Sequence, residues 1–104
     1  FNNIITEAVG TFMLVFGVMM MASPQASLGT LNALPAALLL FGIGLSLGGP
    51  TGFAVNPARD LGPRIMHAIL PMTNKRDSDW GYAYVPVVGG IIGGLIAAVV
   101  YSML

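Results

Sequence analysis

Between two apolar runs long enough to cross a bilayer lies the segment Asn56-Pro57-Ala58-Arg59-Asp60, which puts a helix start, a cation and a carboxylate where a membrane interior ordinarily excludes them. Ionisable groups at membrane depth are costly and face a water-filled path or a binding cavity. Charge in this setting points to a chain that conducts something small.

Composition supports the membrane setting: 56% of residues are hydrophobic, 8% are charged and the net charge is zero, against about 25% charged in soluble domains. The 104 residues leave room for about three spans of the ~20 residues that a ~30 Å hydrocarbon core demands. Neutrality leaves no basic footprint for nucleic acid. Without cysteine, disulfides, thiol chemistry and cysteine metal sites are excluded. His67 has no second histidine nearby, so no metal site and no cofactor is expected. The chain opens on Phe1 with no charged leader and reads as a piece of a longer protein.

Three spans are expected, at about 3–22, 32–49 and 80–103. The first is apolar apart from Thr6, Glu7 and Thr11, and breaks at Ser23-Pro24-Gln25. The second carries Pro35 near its start, where proline is tolerated, and gives way to turn chemistry at Gly48-Gly49-Pro50-Thr51-Gly52. A loop over 50–56 then delivers the chain to a helix over 57–70. That helix is too short, at about 21 Å, and too charged to span alone. Hydrophilic residues collect at 71–79, and Trp80, Tyr82 and Tyr84 form an interfacial aromatic belt before the third span. Lys75 and Arg76, taken naively, would place the 71–79 loop on the cytoplasmic side.

Asn56 is a good N-cap and Pro57 suits the first helical position. Asp60 favours the positive helix end and pairs with Arg64 in the favourable i, i+4 order. Arg59 opposes the macrodipole, and such a violation marks either a path-lining residue or an ion pair with Asp60. Extended backbone at Gly52, Phe53 and Ala54 would present a row of carbonyl acceptors, tolerable in a membrane where it lines water. A neutral solute with hydroxyls could exchange water for these acceptors, while Arg59 and the helix end oppose cations and protons. Glu7 either relays protons or accepts backbone N–H groups of the irregular segment before Asn56. Gly89/Gly93 and Gly90/Gly94 form two overlapping small-xxx-small patterns suited to close helix packing. Gly44 either packs closely or leaves space in a path.

Two spans, an Asn-Pro-Ala box opening a short helix and a glycine-rich last span resemble the carboxyl-terminal half of the aquaporin, or major intrinsic protein, family. The resemblance covers nearly the whole chain, and the run from Thr51 to Arg64 is its most specific part. Asp60 directly after the box arginine, Arg64 four residues on, and Pro86-Val87 resemble the glycerol-facilitator pattern. Gly44 falls where water channels place a constricting histidine.

The resemblance implies an all-α membrane protein: three transmembrane helices plus one re-entrant half-helix, one of two inverted repeats, with the amino-terminal repeat absent. It implies a passive pore for glycerol, similar small polyols and water in the plasma membrane, with no enzymatic step, and a homotetramer of the full-length protein. Asn56 would orient solute, Arg59 would form part of the filter, Gly52, Phe53 and Ala54 would offer carbonyls, and Glu7 would brace the loop. The 71–79 loop would lie outside and Leu104 inside, opposite to the charge count. A half-pore leaves other readings open: a non-conducting fragment or assembly module, two copies paired in opposite orientations, or half of an ion-coupled secondary transporter.

Overall fold

The computed structural model describes residues 1–22 and 27–104. The expected break at Ser23-Pro24-Gln25 lies outside the described residues. Four helices account for most of the rest: α1 (Asn2–Met21), α2 (Leu34–Thr51), α3 (Pro57–Ile69) and α4 (Tyr84–Ser102). Single 3-10 turns, Gly29–Leu31 and Trp80–Tyr82, lead into α2 and α4. Three of the helical segments are long and apolar enough to cross a membrane. α1, at 20 residues, extends about 30 Å.

Packing is concentrated on α1, which lies between α4 and α2. Glycine makes the close approach of α4 possible. A Cβ at Gly89 would meet Glu7 Cβ at 2.6 Å and the Ile4 carbonyl at 2.9 Å, and one at Gly93 would meet the Ala8 carbonyl group. The two overlapping glycine patterns thus do different work. Gly89 and Gly93 seat α1, a Cβ on Gly90 would stand 3.3 Å from the Pro57 ring, and one on Gly94 would meet nothing among the described residues. Against α2, Gly17 leaves room for Leu39.

α2 runs two residues farther than the sequence suggests, through Gly48-Gly49-Pro50 to Thr51. Pro50 forgoes only one hydrogen bond there, in the last turn. The stop comes at Gly52, whose φ of 77° makes it a left-handed cap with its N–H on the Gly48 carbonyl at 2.9 Å. α3 ends one residue short of expectation, with Leu70 as an extended C-cap.

Much apolar surface stays uncovered. Leu38, Phe41 and Leu45 of α2 are 60%, 65% and 73% exposed, and Ile91, Leu95 and Val99 of α4 are 54%, 63% and 58% exposed. Surface this apolar is stable only against lipid or protein.

Candidate functional site

The site is built where α2 ends and α3 begins. Asn56, at φ −157°, caps α3: its Oδ1 accepts from the N–H groups of Ala58, at 2.8 Å, and Arg59, at 3.4 Å. Pro57 occupies N1, where its missing N–H costs nothing. The Asn56 side chain is exposed, and its Nδ2 has no partner among the described residues. The cap therefore leaves a free amide donor beside the helix end.

The segment ahead of the cap is not the extended strand expected from sequence. Gly52, Phe53 and Val55 have φ of 77°, 61° and 42°. For a β-branched residue such as Val55, positive φ is strained. The cause lies 47 and 48 residues earlier in the chain. Glu7, fully buried on α1, accepts from Ala54 N–H at 3.3 Å and Val55 N–H at 2.6 Å. Backbone that alternates in hand brings successive N–H groups onto one anion. A trans peptide also sends its N–H and C=O in opposite directions. Glu7, by drawing in the N–H groups of residues 54 and 55, turns the Phe53 and Ala54 carbonyls away from α1.

Arg59 takes one of those carbonyls. Its Nη1 donates to Phe53 O, and its guanidinium lies 5.2 Å from the centroid of the Phe53 ring, an attractive cation–π placement. The ring in turn rests on Gly44, where a Cβ would stand 3.0–3.3 Å from ring carbons. The space left by Gly44 is therefore occupied by Phe53. Sequence reading assigned Phe53 only a carbonyl; its ring organises both neighbours. A lone aromatic among small residues, six positions before a cation, was the available signal.

Asp60 does not pair with Arg59. Both its oxygens are taken by Arg64, Nε at 2.9 Å and Nη2 at 2.8 Å. Arg64 Nη1 also donates to the Ser78 and Asp79 carbonyls, each at 2.6 Å. His67 Nδ1 lies 2.8 Å from Ser78 Oγ, and Lys75 Nζ donates to the Ala68 carbonyl at 2.8 Å at the end of α3. The 71–79 segment, exposed apart from half-buried Ser78, is stitched to the short helix by these contacts, which local sequence did not reveal.

An open recess of ≈ 600 Å³ lies between these parts, lined by Gly52, Ala54, Arg59, Asp60, Arg64 and His67 together with Ser78, Asp79 and Tyr82. Asn56, Phe53 and Gly44 border the site but do not line this recess. Pro86 is buried in the first turn of α4 and Val87 is half-buried after it, both apart from the recess.

Residues 1–101 match the model of the major intrinsic protein family. The chain is 53% identical over 102 residues to a probable glycerol uptake facilitator protein of Thermotoga maritima, covering 98% of this chain and 43% of the relative. It is 51% identical to glycerol uptake facilitator protein 3 of Lactiplantibacillus plantarum, covering 100% of this chain and 43% of the relative. The glycerol uptake facilitator protein of Bacillus subtilis is 52% identical, with 98% and 37% covered. The chain therefore spans less than half the length of these relatives. No solved structure matches it significantly. With a family match across nearly its whole length and three helices fit to span a bilayer, this chain belongs to the major intrinsic proteins, a family of non-enzymatic channels, and is an integral membrane protein.

Proposed function

We propose that the chain is the second of two inverted repeats of a passive channel for glycerol and other small uncharged solutes, with water also passing. α1, α2 and α4 cross the membrane, and α3 is a re-entrant half-helix whose amino end reaches membrane depth. The observation that carries this reading is the setting of Arg59. The guanidinium is held on the Phe53 carbonyl and ring, is not neutralised by Asp60, and lines the recess beside Gly52 and Ala54.

Asn56 and Arg59 supply donors, the outward carbonyls of Phe53 and Ala54 supply acceptors, and a neutral polyol can trade water for both. A fixed cation together with the positive helix end opposes cations and protons. Glu7 braces the loop, Gly44 admits the Phe53 ring, and Asp60, Arg64, Pro86 and Val87 mark the glycerol subgroup. The missing amino-terminal repeat completes the lining, and the full-length protein assembles as a homotetramer in the plasma membrane. The exposed apolar faces of α2 and α4 agree with burial against lipid and protein. Identity of 51–53% to named glycerol facilitators supports the solute class.

The test is osmotic reswelling of proteoliposomes holding the full-length protein. Rapid glycerol equilibration without an ion gradient supports the channel; strict dependence on a sodium or proton gradient sinks it and favours a coupled transporter.

A second observation supports a wider solute range. A protein of Lactiplantibacillus plantarum named D/L-lactic acid transporter is 46% identical, covering 93% of this chain. An undissociated hydroxy acid is small, uncharged and carries hydroxyls, so the same path suits it. Lactate uptake by the proteoliposomes then rises as pH falls; a flat pH profile excludes this extension.

A further inference from the structure

The inference drawn here rests on the channel reading above and concerns the wall that the path leans on. The residues of α1 that are buried are Glu7, Gly10 and Thr11, and all three converge on Val55. Glu7 accepts its N–H at 2.6 Å. Gly10 makes room for its side chain, whose Cγ1 lies 2.8 Å from where a Cβ would stand. Thr11 Oγ1 donates to its carbonyl at 3.2 Å. Glu7, Gly10 and Thr11 stand at i, i+3 and i+4, one stripe of the helix. One strained residue is thus held by its donor, its side chain and its acceptor from a single helical face.

The Thr11 bond is unusual among the helix hydroxyls. Within a helix, Ser and Thr ordinarily bond back to a carbonyl three or four residues earlier. Thr6 does so to Asn2, Ser46 to Gly42 and Ser102 to Val99. Thr11 instead reaches 44 residues across to the loop. Its target also points the other way from its neighbours. Glu7 turns the Phe53 and Ala54 carbonyls away from α1, whereas the Val55 carbonyl points back into it. By the planarity of the peptide, the Asn56 N–H then points away from α1.

We propose that Thr11 is a positioning residue for transport: its hydroxyl ends the row of outward carbonyls at Ala54 and fixes the peptide plane that enters the Asn56 cap. Without the hydroxyl, the buried Val55 carbonyl has no partner among the described residues, and the 55–56 peptide gains a reason to rotate toward the wet side. That rotation misaims Asn56 and adds an acceptor out of register. Glycerol must satisfy several hydroxyls at fixed places at once, so it suffers more than water. A net hydrogen bond shifts the equilibrium between aligned and rotated peptide roughly fivefold, which sets the upper limit of the effect.

The experiment compares Thr11→Ser with Thr11→Ala in the full-length protein, measuring glycerol and water permeability in proteoliposomes, with assembly checked by size-exclusion in detergent. The two variants share the loss of the methyl group and differ in the hydroxyl. Thr11→Ser is expected to keep the wild-type glycerol-to-water ratio, and Thr11→Ala to lower it by up to about fivefold while assembling normally. Equal ratios in the two variants overturn the proposal. So does failure of Thr11→Ala to assemble when Thr11→Ser does, because the hydroxyl is then a folding determinant. Wild-type protein that passes no glycerol refutes the channel reading instead, so the two failures are separable.

Discussion

Gly93 of α4 lies against the main chain of Ala8 in α1, so that a Cβ on it would stand within 3.0 Å of the Ala8 carbonyl carbon. Backbone cannot yield there as a flexible side chain would. Gly93→Ala should therefore cost about 1–3 kcal/mol or block assembly. Gly94→Ala, which meets nothing within 4 Å among the described residues, should be neutral or gain up to about 1 kcal/mol from helix propensity. Thermal unfolding of both variants in one detergent checks the contrast; equal effects would mean that α1 and α4 are not packed as described.

Glu7 holds two backbone donors with two oxygens. Glu7→Gln offers one acceptor and turns an N–H₂ toward the other donor, leaving one buried N–H unsatisfied. The expected cost is about 1–3 kcal/mol, seen as faster hydrogen exchange at Ala54 and Val55, with glycerol flux reduced but present. A well-folded variant that passes no glycerol would favour a proton-exchanging role for Glu7.

The three long apolar helices were legible because apolar length is a local property, and so was the Asp60–Arg64 pair, which follows from helical spacing alone. The Asn56 cap could be read from its own residue type and the proline after it. The loop could not. Nothing near Phe53 or Val55 in sequence calls for positive φ; the requirement comes from a carboxylate on another helix. The same holds for Phe53, whose ring position depends on a glycine in α2, and for the 71–79 segment, whose polar residues read as solvated while Arg64, His67 and Lys75 fasten it to α3. Pro50 misled by its type, because a helix tolerates in its final turn what it rejects in its middle.

Gly44→His should narrow the path by displacing Phe53, whose ring carbons already stand 3.0–3.3 Å from a Cβ at that position. Glycerol permeability should fall more than water permeability in proteoliposomes. Equal loss of both would indicate misfolding or a path that runs elsewhere.

Arg64 makes four polar contacts, two to Asp60 and two to loop carbonyls. A lysine ammonium cannot reproduce that planar fork. Arg64→Lys should accelerate protease cleavage and amide exchange across 77–80 while helix content is kept. Unchanged protection would show that the loop is held by other contacts.

On the proposed reading, the amino end of α3, with Arg59, faces a solute path that admits neutral molecules and repels cations. The most direct test of that reading measures glycerol and sodium permeability side by side in proteoliposomes of the full-length protein and its Arg59→Val variant. Wild type should be sodium-tight and glycerol-permeable, and the variant should still pass glycerol but leak sodium. A variant as sodium-tight as wild type, with glycerol flux intact, would contradict the reading.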